Sequence, residues 1–228
     1  MKVLILSLSP VFIILTYVWF RDKYEKEPVS LLVKSLVAGG LMVIPVMVVE
    51  TLLTALKPAV GELSGAGYTA FVVAGFTEEL FKFLALYILV WKNPNFNEKF
   101  DGIVYAVFVS LGFAAVENVM YVASGGVGVA LTRALTAVPA HALFGITMGY
   151  YLGIAHMVPH KRHIFLRKAF IIPFLLHGAY DFILLSQVPL LLTLFIPFML
   201  GLYFSGFKRM KIISDASIFK KDVTHGEL

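Results

Sequence analysis

Residues 67–91 read GYTAFVVAGFTEELFKFLALYILVW, and this stretch decides the fold. It is long enough to cross a bilayer as one helix, which takes about 20 apolar residues. Near its middle it carries two adjacent carboxylates, Glu78 and Glu79, with Lys82 one turn further on. An ionised carboxylate at the bilayer centre costs roughly 2.5–3.5 kcal/mol on insertion scales. Two in succession are seldom kept for packing alone, so the pair marks a candidate functional site within a membrane-spanning helix. Glu117, His141, His177 and Asp181 lie inside three other apolar runs. Four hydrophobic segments thus carry polar groups at similar depth.

The composition agrees. Of 228 residues, 59% are hydrophobic and 14% charged, and the mean hydropathy is +0.86. That is the profile of an all-α, polytopic membrane protein. The chain contains no cysteine, which excludes disulfides, thiolate metal sites and a cysteine nucleophile. The net charge of +5 resides in loops and gives no reason to expect nucleic-acid binding. The first apolar run, 3–20, has no small-x-small cleavage pattern after it, so it reads as a retained helix rather than a signal peptide.

On the bilayer ruler the apolar runs give seven transmembrane helices, at about 3–20, 31–56, 67–91, 103–123, 131–156, 169–186 and 188–206. Only Ser186 to Pro189 separates the last two, so six spans with a re-entrant end is the alternative. The basic residues set the orientation. Loops 21–30, 92–102 and 157–168 and the tail after 207 hold fourteen of the 19 lysines and arginines. Lys2, Lys57 and the flanking Arg133 fall on the other side. The basic side is expected to be cytoplasmic, which places the N-terminus outside and the C-terminus inside. Residues 1–206 are then one transmembrane domain and 207–228 a basic cytoplasmic tail. No internal repeat is evident, so an inverted-repeat transporter gains no support.

The polar residues form a constellation. Glu78 and Glu79 stand four and three residues before Lys82, and either spacing brings a pair together on a helix face. Successive residues point about 100° apart, so the two glutamates face different ways: one neutralised by Lys82, the other turned to a wet cavity. Burial makes a carboxylate a stronger base than it is in water, suited to take a proton from water. The fourth run contains LGFAAVENVMY, with Glu117, Asn118 and Tyr121. Its carboxylate is placed to orient water or hydrogen-bond an imidazole, and its amide and phenol suit interhelical bonds. The fifth holds His141 after Pro139, and the sixth holds His177 four residues before Asp181, a spacing that lets the carboxylate fix the imidazole's tautomer. Counted from the span ends at 1.5 Å per residue, all these groups fall near the midplane or slightly outwards of it. Helices running in opposite directions deliver their polar groups to one layer. Gly75, Pro139 and Gly178 are candidate openings for water. Glu50, His156, His160 and His163 lie near span ends and read as interfacial. No HExxH, GxSxG or GxGD motif is present, and no ligand spacing supports zinc. Neither a metal nor another cofactor is expected.

The order EExxK, FxxxEN with a tyrosine after it, a histidine in the fifth span, then HGxYD resembles the PrsW family of bacterial intramembrane proteases. Here those motifs are Glu78 to Lys82, Phe113 to Tyr121, His141, and His177 to Asp181. The resemblance extends to YEKEP at 24–28 and FDGIVYA at 100–106. More distantly, the pattern is similar to type II CAAX prenyl proteases and the APH-1 subunit of gamma-secretase. The resemblance implies a multi-pass protein of the bacterial cell membrane and a metal-independent, glutamic-type hydrolase. It implies the first (site-1) cut in a single-pass membrane anti-sigma factor, which activates a stress-response sigma factor. By that resemblance one of Glu78 and Glu79 would activate water and His177 would act as acid or oxyanion donor. Lys82, Glu117, Asn118, Tyr121, His141 and Asp181 would support them. The alternative class is a proton-coupled transporter or a non-catalytic scaffold of the APH-1 kind, because buried Glu, His, Lys and Asp also build proton relays.

Overall fold

A computed structural model describes residues 2–220, and among these the regular structure is entirely helical. Helix α1 spans Lys2–Arg21 and α2 spans Val29–Ala55. Helix α3 (Glu62–Gly67) passes through a π-helical segment (Tyr68–Phe76) into α4 (Thr77–Val90). The residues at both junctions keep right-handed helical dihedrals, so this is one helix with a widened middle. Then follow α5 (Lys99–Leu135), α6 (Ala137–Met157), a 3-10 turn (Pro159–Lys161), α7 (Arg162–Leu185), α8 (Pro189–Thr193) and α9 (Phe195–Asp215).

Among the described residues, five helical stretches are long and apolar enough to cross a membrane: 4–21, 29–55, 99–157, 159–185 and 189–215. The third holds both α5 and α6, which part at Thr136. The expected span 67–91 falls outside this count; its helix runs on through the π segment and carries Glu78, Glu79 and Lys82 in its middle. Four boundaries differ by six residues or more from the hydropathy reading, one being α7, which starts at Arg162 rather than 169. α5 continues past 123 to Leu135, with a break at Gly126, where φ is 72°, a conformation open to glycine. α6 begins at Ala137 rather than 131, so Arg133 belongs to the end of α5. α9 continues past 206 to Asp215, with Met210 and Ile213 buried. Of the expected tail 207–228, residues 221–228 lie outside the described residues.

α5 is the central post. Every residue from Phe100 to Ala114 is buried, as befits a helix that is apolar all round. It begins at a capping box, in which the Glu98 side chain accepts from the Asp101 backbone N–H and the Asp101 carboxylate accepts from the Glu98 N–H. α6 lies close along it: a Cβ on Gly102 would stand 2.5 Å from the Gly149 carbonyl oxygen. A similar approach joins the π segment to α7, where a Cβ on Gly75 would be 2.9 Å from the Gly178 nitrogen. Only glycine permits backbones this near. Outward-facing Ile13, Ile44, Ile88 and Phe204 are exposed, the surface that lipid covers.

Candidate active site

The π segment sets the geometry that follows it. Its residues are apolar, and Thr77 at its end returns its hydroxyl to the Val72 carbonyl, five residues back, at 3.3 Å. Widened helical turns of this kind are frequent at functional sites. Immediately after it, α4 presents Glu78, Glu79 and Lys82, all buried.

Lys82 is the hub. Its Nζ donates to Glu78 Oε2 at 2.9 Å and to Glu79 Oε1 at 2.9 Å, and lies 3.1 Å from His141 Nδ1. An ammonium has three protons and no lone pair, so all three are directed and His141 Nδ1 is the acceptor. The proton of that imidazole then sits on Nε2, which donates to Glu117 Oε2 at 3.0 Å. The Phe113 ring lies 4.2 Å from the Lys82 charge, a cation–π contact inside the bundle.

His177 lies on the other side of the glutamates. Its Nδ1 is 2.9 Å from Glu79 Oε1, and its Nε2 is 3.4 Å from Asp181 Oδ2 and 3.9 Å from Glu78 Oε2. With Nδ1–H given to Glu79, Nε2 is the nitrogen presented to Glu78 and Asp181. Phe144 stacks on the ring at 5.0 Å and holds its plane.

A cavity of about 700 Å³ opens over this cluster. Glu78, His141, His177, Glu117 and Asp181 line it, whereas Glu79 and Lys82 do not. Glu79 is fully buried behind Glu78, with one carboxylate oxygen lacking any hydrogen-bond partner. From the cluster the cavity extends along Glu50, Thr54, Ser124 and Leu185. These residues approach the helix ends opposite the basic loops.

Each sequence-expected residue can now be located. Glu78, Glu79, Lys82, His141, His177, Glu117 and Asp181 form one contiguous network. Asn118 points away: its Nδ2 donates to the Ser7 carbonyl at 2.7 Å, and its Oδ1 accepts from Arg133 Nε at 2.8 Å. Tyr121 is half exposed on the cavity wall under the Arg133 guanidinium, 4.1 Å away. Gly75, Pro139 and Gly178 do not line the cavity. The two glycines set a close helix contact, and Pro139 sits in the first turn of α6, where a missing N–H breaks nothing. Two residues escaped the sequence reading. Arg133 bonds Glu117 through Nη2 at 2.8 Å; its signal was an arginine on the side otherwise poor in basic residues. Glu50 lines the cavity rather than an interface. His156 packs against Phe96 and Trp91, and His160 and His163 are exposed.

Residues 27–204 match a family described as "PrsW family intramembrane metalloprotease". The chain is 38% identical over 206 residues to a protein named Protease PrsW from Bacillus subtilis, covering 90% of this chain and 92% of that protein. It is 39% identical over 181 residues to the protein of the same name from Geobacillus kaustophilus, 79% of each chain. To that from Oceanobacillus iheyensis it is 35% identical over 220 residues, 96% and 99% of the two chains. No solved structure matches. A match over most of the chain, with two of the protease relatives covered over more than nine-tenths of their length, makes this multi-pass bacterial membrane protein a member of the PrsW family of intramembrane proteases.

Proposed function

We propose that the protein is a glutamic-type endopeptidase that hydrolyses a single-pass membrane substrate with Glu78 as the water-activating base. The observation that carries this reading is positional. Glu78 stands on the cavity wall with one oxygen held by Lys82 and the other without a hydrogen-bond partner among the described residues, while Glu79 is sealed behind it. Glu78 takes a proton from a cavity water. The hydroxide oxygen bonds to the substrate carbonyl carbon, and His177, as the imidazolium favoured by Glu79 at Nδ1 and Asp181 at Nε2, donates from Nε2 to the oxyanion. As the carbon–nitrogen bond breaks, the proton on Glu78 passes to the leaving amine. Glu79 fixes His177 through Nδ1, and Lys82 bonds both carboxylates.

The family's description includes a metal, and the donor set bears on it. Ligand atoms of Glu78, Glu79, His141 and His177 lie within 4.8 Å of one another, a convergence that sequence spacing did not reveal. Nitrogen and oxygen donors of this type suit zinc. The Lys82 ammonium, however, bonds three of the four groups and fills the position a cation would take. The residues as folded therefore do not fit a metal ion. The second reading, favoured by that 4.8 Å convergence, is a metal held by these four donors with Lys82 withdrawn. Chelation separates the two readings: cleavage by the purified protein continues in excess phenanthroline on the glutamic mechanism. Loss of activity that zinc restores would establish the metal reading.

The proposed substrate is a single-pass anti-sigma factor, the class the family resemblance implies, cut first by this enzyme so that later proteolysis frees a stress sigma factor. The proposed arrangement is seven spans with the basic loops cytoplasmic and the N-terminus outside. It is supported by the basic residues collected at one end of the bundle and by the cavity opening towards the other.

A further inference from the structure

The cavity over the catalytic cluster holds one charged residue that the cluster does not take up. Besides its two histidines, five acidic or basic side chains line it: Glu50, Glu78, Glu117, Arg133 and Asp181. Four of them are engaged. Glu78 accepts from Lys82, Glu117 from Arg133 and His141, and Asp181 stands 3.4 Å from His177. Glu50, partly buried on α2, makes no hydrogen bond or ion pair among the described residues. The neighbouring cations are directed elsewhere. Arg133 gives its fork to Glu117 and Asn118 and lies over the Tyr121 ring. The Lys57 chain, just past the end of α2, lies against Gly65, where a Cβ would meet its Cε at 3.0 Å.

The backbone fixes where Glu50 stands. α2 and α5 run the same way and touch with Leu36 against Gly112 and Gly39 against Val109. Carried on at 1.5 Å per residue, that register sets Glu50 near the level of Met120 to Ser124, about one turn beyond Glu117 towards the cavity mouth. Val43, Val46, Met47, Glu50, Thr51 and Thr54 form the face that α2 turns to the cavity. That face is apolar beside the catalytic cluster and polar at the mouth, with Glu50 where one gives way to the other.

A substrate chain that fills the cavity displaces water from around this carboxylate. A charge so desolvated is costly unless a cation meets it, and the chain itself must bring that cation. A lysine or arginine suits the wall, since its apolar stem lies along Met47 while its charged head reaches Glu50. An extended chain advances about 3.3 Å per residue, so a group about one turn beyond Glu117 meets a side chain within the first two or three residues past the scissile bond. We propose that Glu50 is a specificity-determining residue that pairs with a lysine or arginine just outside the scissile bond, on the side away from the basic loops. The proposal rests on the reading of this cavity as the protease site and narrows its substrates to single-pass helices with a basic residue there.

The test offers the purified full-length protein, in liposomes, a library of single-pass peptides randomised over the residues just outside the apolar span. Mass spectrometry identifies the products. The wild type should enrich Lys and Arg over Gln about tenfold or more at one position outside the cut. Glu50→Gln should erase that preference, and Glu50→Lys should turn it to Asp and Glu at the same position. Glu50→Asp should keep it for basic residues. Should Glu50→Lys fail to fold, the near-isosteric Glu50→Gln still decides. Glu78→Gln should instead lose every member of the library alike. Cleavage by Glu78→Gln with the basic preference intact would support Glu50 while overturning the base assignment. A wild type with no basic preference, or a preference that Glu50→Gln and Glu50→Lys both retain, would overturn the role of Glu50. So would a wild type that cuts no member, which would remove the protease reading beneath it.

Discussion

Lys82 shows how a single side chain reconciles two carboxylates with a low-dielectric surrounding. Removing one partner of a buried ion pair leaves an uncompensated charge and costs about 3–5 kcal/mol. Lys82→Met should therefore destabilise the protein by about that amount, read as a lower denaturation midpoint in detergent. Adding Glu79→Gln should recover part of the loss, with a coupling of about 0.5–3 kcal/mol; strict additivity would mean that the two do not share a charge. Arg133 is a second case. Its planar fork meets Glu117, Asn118 and the Tyr121 face together, a geometry lysine does not reproduce. Arg133→Lys should lower the cleavage rate about tenfold or more through the Glu117–His141 bond, and an unchanged rate would remove Arg133 from the positioning network. At this scale the sequence was informative where chemistry is costly. Glutamates, lysine and histidines in apolar runs declared themselves by their insertion penalty. Glu50 did not, because an acid near a span end reads equally well as interfacial.

At the scale of elements, the glycine contact between the π segment and α7 sets the distance from Glu79 to His177. Gly75→Ala would place a methyl 2.9 Å from the Gly178 nitrogen, and the helices must part by a few tenths of an ångström or more. Displacements approaching 1 Å cost on the order of 10²-fold in rate. Gly75→Ala should thus lose activity well out of proportion to its change in melting temperature; a wild-type rate would contradict the coupling. The helices themselves were legible from hydropathy, but three features were not. The π segment is built of the same apolar residues that an α-helix would use, so its altered register left no mark in composition. The ends of α5 and α6 were displaced because the glycine-rich residues 124–128 read as a loop, whereas α5 continues past a single break at Gly126 to Leu135. The continuation of α9 past Phe207 mixes lysines with buried Met210 and Ile213, and the charges obscured the helical stripe.

For the molecule as a whole, the convergence of polar groups from four helices was legible as a shared depth, because 1.5 Å per residue is a reliable ruler. Which glutamate faces the cavity was not, since that depends on helix rotation about its axis. The charge bias predicts a cytoplasmic C-terminus: alkaline phosphatase fused after Leu228 should be inactive and fused within 57–66 active, and the reverse would invert the topology. The cavity opens away from the basic loops. A substrate helix unwinds most readily at its outer boundary, where water satisfies the freed backbone. The scissile bond should accordingly map, by mass spectrometry of the products, at or just outside the outer membrane boundary; a cut on the cytoplasmic side would refute that placement. The central claim, that Glu78 activates water at the cavity wall, is tested most directly by the cleavage rate of Glu78→Gln protein reconstituted in liposomes with a single-pass substrate. The substitution keeps size and removes the proton acceptor, so the account predicts a loss of about 10²- to 10⁴-fold with the protein still folded. A folded Glu78→Gln protein that cleaves at the wild-type rate would contradict it.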